Sequence, residues 1–424
     1  MISSNKGLST MRVVLTKAIF AMVLICVAGT AFAHGERNQE PFLRMKTLHW
    51  YDLTWSVAND ATVQVNDEVT MTGKVHFFSR WPEIIAWPDT VFLGNATPGP
   101  VFTRKETYLN GVPMIQSTSV EPGRVYDFKV ILKARIPGRH HVHPMFNVKS
   151  AGGLVGPGIW INIAGDADDF VYTITTRTGV VIDNLGTYGV ANVVKWHLIW
   201  AGFAVFWLIW WFRRPLIIQR YLLVKQGSWK ELITNNDRKV AVLLLVTIIT
   251  LIIYANDITR EAYPRTIPLQ GSKSEVNPSP DLNNGRVVVK NLLAEYYLPG
   301  RTVLIKAEIT NNAKSAIQLG EFTAANLRFI NKSVPAAVKG LQAGYPEELV
   351  ANDTLGVSDP SPIQPGETRV LMINATDAAW ETERLSSLLN DPDSSYGALL
   401  FFYTADGERI ISEIYGQILP TFFD

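Results

Sequence analysis

One cysteine, Cys26, is all the thiol in this 424-residue chain, and it falls in a segment expected to be removed. A mature chain without thiols forms no disulfide, iron–sulfur cluster, thiolate zinc site or cysteine nucleophile. Metal chemistry would have to use imidazole, carboxylate or backbone groups. Charge excess is missing too: 39 Lys and Arg stand against 38 Asp and Glu, a net charge of +1. That balance speaks against a nucleic-acid partner. The chain has no G-x-S-x-G, no H-E-x-x-H and no phosphate-cradling glycine loop ending in Lys-Ser/Thr. The usual signatures of a serine hydrolase, a zinc peptidase and a nucleotide-binding enzyme are therefore absent. Histidine stops at His197, so the C-terminal half offers no imidazole ligand.

What is present begins with residues 11–33, "MRVVLTKAIFAMVLICVAGTAFA", where Arg12 and Lys17 precede an apolar run that ends in Ala31-Phe32-Ala33. That order predicts a signal peptide over 1–33, cut before His34, which places the mature chain outside the cytoplasm; an uncleaved anchor is the alternative. The length predicts more than one core. From 34 to 190, stretches such as "ATVQVNDEVTMTGKVHFF" and "RVYDFKVILKARI" alternate apolar and polar residues, while "EPGR", "IPGR" and "GPG" supply turns. This pattern predicts an antiparallel β-sandwich.

Two apolar runs follow, "VVKWHLIWAGFAVFWLIWWF" and "KVAVLLLVTIITLIIYA". They predict transmembrane helices over 191–213 and 239–257. The linker at 214–238 and its margins hold Arg213, Arg214, Arg220, Lys225, Lys230, Arg238 and Lys239 against Glu231 and Asp237. By the positive-inside rule it is cytoplasmic, and both flanking domains lie on the outer side. A Pro-, Ser- and Asn-rich stretch, 258–285, reads as a solvated connector. Strand patterns return over 286–424, as in "RTVLIKAEITNN" and "ETRVLMINAT", with "DAAWETERLSSLLN" read as a short helix. The fold expected is mainly β, two sandwiches joined by two spans.

The candidates for chemistry are His34, His49, His76, His140, His141, His143 and His197. In "GRHHVHPM", His141 and His143 sit two apart on a strand, on one face and roughly 6.5 Å apart at Cα, with His140 turned the other way. Cleavage before His34 would let its α-amine and its ring close a chelate on a metal. Together with His141 and His143 that makes four nitrogen donors, a set that favours copper(II); the lack of thiolate excludes a blue-copper site. Met145 reads as core filling or a weak axial ligand, His49 as a packed residue between aromatics, His76 as a plain strand position and His197 as snorkelling at the end of the first span.

The segments "HGERNQEPFLRMKTLHWYDLTWS", "PGPVFTRKE", "LKARIPGRHHVHPMFNV", "GPGIWINI" and "LGEFTAANLRFIN" together resemble the B subunit of the copper-containing membrane monooxygenases, which oxidise ammonia or methane. The resemblance covers the whole mature chain. It implies two cupredoxin-like domains outside the membrane joined by two transmembrane helices. It also implies assembly with the membrane-embedded A and C subunits as a trimer of heterotrimers, and copper on His34, His141 and His143. Methane-oxidising relatives can add a copper contact at the histidine matching His49, assisted by a glutamine that aligns here with Ile410. The form "PGRHHVHP" favours the ammonia-oxidising relatives. The expected activity is hydroxylation of ammonia to hydroxylamine with O₂ and electrons from quinol, in a bacterial inner or intracytoplasmic membrane. Methane oxidation and a membrane-tethered copper chaperone are the competing readings. Whether the copper would activate O₂, hold structure or be passed onward stays open, as does any catalytic residue.

Overall fold

The computed structural model describes residues 45–149, 152–176, 179–214, 217–264, 273–281, 283–298, 301–340, 345–382 and 394–422. The expected signal peptide, its cleavage site and His34 lie outside the described residues. So does most of the helix expected near 377–390, of which Ala379–Thr382 forms one turn.

The alternating stretches become strands, in chain order β1 (Leu48–Trp55), β2 (Ala61–Gln64), β3 (Glu68–Phe77), β4 (Val91–Ala96), β5 (Phe102–Leu109), β6 (Val112–Pro113), β7 (Val125–Ala134), β8 (Gly138–Val148), β9 (Gly152–Val155), β10 (Ile159–Ala164), β11 (Ile174–Thr175) and β12 (Val181–Ile182). One sheet runs β1-β3-β7-β5-β6; the facing sheet runs β2-β10-β8-β4, with β9 beside β8. The period of two puts Val69, Met71 and Val75 of β3, with Tyr126, Val130 and Leu132 of β7, into a core shared with Val142, Phe146 and Val148 of β8. All pairings in these two sheets are antiparallel except β2–β10, which is parallel.

A second sandwich repeats the plan with β13 (Val287–Leu298), β14 (Thr302–Asn311), β15 (Ile317–Ala324), β16 (Leu327–Ile330), β17 (Gly356–Val357), β18 (Thr368–Thr376), β19 (Ser395–Thr404), β20 (Arg409–Gln417) and β21 (Leu419–Phe422). Its sheets run β17-β18-β14-β13-β21 and β16-β15-β19-β20. Here β13–β21 is the parallel pair. Thus the architecture is mainly β, as expected, with one parallel pair in each sandwich.

Between the sandwiches stand α1 (Val190–Phe212) and α3 (Asn235–Ala262), with a short α2 (Ile217–Lys225) in the loop that joins them. At 1.5 Å per residue the 23 residues of α1 and the 28 of α3 extend about 34 and 42 Å, enough for a hydrocarbon layer of about 30 Å. Neither buries an apolar side chain among the described residues. The second helix outruns the expected 239–257 at both ends. Thr234 and Asp237 form a capping box that starts it early, and it continues past Asp257 because exposed charged residues do not interrupt backbone hydrogen bonding.

The connector differs from its expected solvated state. Its residues 273–281 lie along the first sandwich, where Ser274 N donates to Ser117 O at 2.8 Å and Ser279 N to Val125 O at 2.8 Å. Val276 enters the first core. Backbone partners offered by neighbouring strands outweigh the polar composition that suggested a free linker. The two sandwiches dock through Tyr51 and Phe78 of the first and Ile330, Leu399, Phe401 and Tyr403 of the second.

Candidate metal centre

Strand β8 carries the His-x-His pair at the level of its pairing with β10 on one side and β4 on the other, where His141 faces Trp160 and His143 faces Ala96. Val142 and Pro144 point inward, so His141, His143 and Met145 share the outer, half-buried face. The imidazoles meet edge to face with centroids 4.1 Å apart, and His143 Nε2 lies 3.0 Å from His141 Nδ1. Two nitrogens each about 2 Å from one ion can span that distance at close to a right angle.

The tautomer of His143 is set from outside the pair. Its Nδ1–H donates to the carbonyl of Gly156 at 2.8 Å, which leaves the Nε2 lone pair facing His141. Such a backbone partner is the usual way a ligating imidazole is oriented and made more basic. The segment Gly156-Pro157-Gly158 makes this contact possible by its lack of side chains. A Cβ on Gly158 would stand 2.5 Å from His143 Nδ1, and one on Gly156 would stand 2.8 Å from Pro144 Cγ and Trp50 Cγ. Read as a turn in the sequence, the segment is a close backbone approach to the imidazole.

His141 is fixed by a different device. Its ring stacks on Trp160 at 4.6 Å with 14° between planes, and the Arg139 guanidinium lies 4.1 Å over the same indole. Arg139 is itself held by Asp60 through Nε at 2.8 Å. His140 turns away, as expected, and its Nε2–H donates to Ile136 O at 3.0 Å. Among the described residues no group of three or more His, Cys, Asp or Glu converges on one point. The pair thus offers two oriented imidazole nitrogens, and the third expected ligand, His34, lies outside the described residues.

The other histidines sit elsewhere. Those at 49 and 76 are cross-strand partners on β1 and β3 at the contact between sandwiches. The first is 1% exposed, and neither of its ring nitrogens has a hydrogen-bond partner among the described residues. Burial, with the charge of Arg328 next in weight, lowers its pKa to about 3, so the ring is neutral. A cavity of about 10 Å³ beside it is lined by Glu321, Thr323, Arg328 and Tyr345. Ile410, where the assisting glutamine was aligned, is buried in the second core opposite Phe402.

His76 is more than a strand position. Its Nε2–H donates to Glu413 Oε2 at 2.6 Å, and Ser79 N donates to the same carboxylate at 3.0 Å. Burial alone would raise the Glu413 pKa; the bonds from His76 and Ser79 outweigh it and hold the carboxyl below its usual range. Beside it Arg409 makes a two-pronged bond to Asp52. These contacts join residues more than 300 positions apart, and no local signal in the sequence announces them. His197, on α1, bonds back to Val193 O at 2.8 Å.

Comparison with known proteins places the chain, as a sequence, in a family. Residues 35–422 match the model of the family described as the B-subunit protein of monooxygenases. The chain is 43% identical over 406 residues, 94% of its length and 96% of the relative's, to the particulate methane monooxygenase alpha subunit of Methylococcus capsulatus. Among solved structures, the cupredoxin domain of amoB from Nitrosocaldus yellowstonii aligns at 15% identity over 32% of this chain and 98% of its own, with a TM-score of 0.25. Fibronectin(III)-like modules of Clostridium thermocellum CbhA align at 7% identity over 87% and 94%, with a TM-score of 0.14. Overlaps that slight add nothing to the assignment, which rests on the family match and the long relative. On those two grounds this membrane-helix-bearing, mainly β chain belongs to the monooxygenase B-subunit family.

Proposed function

We propose that this chain is the copper-binding subunit of a membrane complex that hydroxylates ammonia to hydroxylamine with O₂ and two electrons from quinol. The observation that carries the copper reading is the His143 Nε2–His141 Nδ1 approach of 3.0 Å, with the His143 tautomer set by Gly156 O. The donors are nitrogen alone, a set suited to copper. Bound there, copper would supply one-electron redox chemistry and affinity for O₂. The protein's own part is to orient two lone pairs, cover one face of His141 with Trp160 and complete the set with the amine and ring of His34. The A and C subunits, in a trimer of heterotrimers, are the proposed partners. Both sandwiches would face the periplasm of a bacterial inner or intracytoplasmic membrane, a reading supported by the basic linker.

Ammonia as substrate is supported by the "PGRHHVHP" form of the motif. Methane is the second reading, favoured by the 43% identity to a methane monooxygenase subunit. Membranes holding the complex, supplied with quinol and each substrate in turn, separate the two. Faster formation of hydroxylamine than of methanol supports ammonia, and the reverse result overturns it. Metal analysis of the complex carrying His141→Ala or His143→Ala tests the site: copper retained in full by either variant would overturn the ligand assignment.

A further inference from the structure

The loop between the membrane-length helices is a short amphipathic structure whose apolar side no described residue covers. Helix α2 begins at Ile217, five residues after α1 ends at Phe212, so it starts no further than about 18 Å from the end of the span. Its inner side is engaged: Arg220 lies 5.1 Å over the Trp211 ring and donates to Leu232 O at 3.2 Å. The outer side is a stripe of Ile217, Ile218, Tyr221 and Leu222, spaced one and four apart, with Ile217 84% and Ile218 76% exposed. On a face left to water such a stripe would be costly, and it lies where the bilayer surface must be.

Cations ring this stripe. Arg213, Lys225, Lys230, Arg238 and Lys239 are exposed, and none forms an ion pair among the described residues; Glu231 is the one exposed carboxylate between Arg213 and Lys239. The other acid, Asp237, is buried and consumed by Arg214, Thr234 and the indole N–H of Trp210, a network that fixes the loop to the helix ends. Trp229 is exposed with Lys230 at 5.6 Å from its ring. An apolar stripe, an exposed tryptophan and cations without a carboxylate partner among the described residues, gathered in one loop, match the boundary between acyl chains and anionic headgroups.

We infer that the α2 loop is a binding site for anionic phospholipid, with Ile217, Ile218, Tyr221 and Leu222 inserted at the acyl boundary and Lys225, Lys230 and Arg238 on the headgroup phosphates. The inference rests on the two-span reading. The mature chain beginning at His34, which lacks Cys26, with a bimane label on Val224→Cys, is placed in vesicles containing brominated phosphatidylglycerol or brominated phosphatidylcholine at equal fraction. The anionic lipid is expected to quench several-fold more strongly. That preference should shrink with each cation removed among Lys225→Gln, Lys230→Gln and Arg238→Gln, vanish when all three are replaced, and weaken in high salt. Equal quenching by the two lipids, or a preference that survives all three substitutions, overturns the proposal. Quenching by neither lipid, with both helices still resistant to alkaline extraction, overturns it in favour of a protein partner on the stripe. A chain that alkaline extraction releases fails the two-span reading itself.

Discussion

The two sandwiches share an architecture and divide the chemistry. Each stacks two sheets, and each carries one parallel pair. In the first, the outer face of β8 presents His141 and His143 to a backbone stripped of side chains at Gly156 and Gly158. In the second, which holds no histidine, the ionisable groups are spent on structure: Arg328 forms a two-pronged bond with Glu321, whose carboxylate is 2% exposed. Arg409 and Glu413 reach across to Asp52, His76 and Ser79 of the first. One fold thus presents two oriented imidazoles in one copy and serves as a docking body in the other, so chemistry follows the placed side chains rather than the sandwich.

The comparison can be broken most strongly by acid. His49 stays neutral in the folded protein down to about pH 3, whereas the unfolded chain takes up the proton near 6.5. Protons therefore favour unfolding in that window. The stabilisation is complete above pH 6.5 and is lost as pH falls toward 3, by up to roughly 5 kcal/mol. Hydrogen exchange should show β1 and β3 losing protection between pH 7 and 5 before β14 and β18 do. In His49→Leu that difference should flatten.

Glu321→Gln attacks the second sandwich instead. It leaves the Arg328 guanidinium buried without its carboxylate and should cost about 3–5 kcal/mol, read as a fall in denaturation midpoint with the metal content of the first sandwich preserved. A smaller effect, centred on the proposed site, is expected from Gly158→Ala. The added methyl would stand 2.5 Å from both His143 Nδ1 and the Val142 carbonyl, so copper affinity should drop about 10–100-fold in a competition titration, with a fall in denaturation midpoint beside it from the backbone contact. Smallest of all is His140→Gln, whose ring bonds Ile136 O away from the pair. Copper affinity should stay within about twofold of the parent, and a larger change would mean that the pair is not the site.

Much of this was readable from the chain. A period of two is enough to put His141 and His143 on one face and His140 on the other, because alternate Cβ atoms leave a strand on opposite sides. A twenty-residue apolar run with tryptophan and lysine near its ends, and a shorter run free of charge after Lys239, are enough to mark α1 and α3. What escaped were contacts whose partners are far apart in sequence. Glu413 is 337 residues from His76, and nothing near either one says they touch. Residues 273–281 read as solvated from composition, yet the edge of the first sandwich supplied their hydrogen bonds. The helix within the 214–238 loop went unread because basic composition, not periodicity, dominated that stretch.

By itself the sequence determined the order of parts and, once the segment holding Cys26 is removed, limited any metal site to imidazole, carboxylate and backbone donors, since these follow from residue type and local spacing. Tertiary structure alone decided which nitrogen of His143 faces its neighbour, how closely Gly158 approaches that ring, and that His49 is sealed between two sandwiches. Orientation and burial are set by whichever distant segments pack against a side chain, and packing is a property of the whole fold.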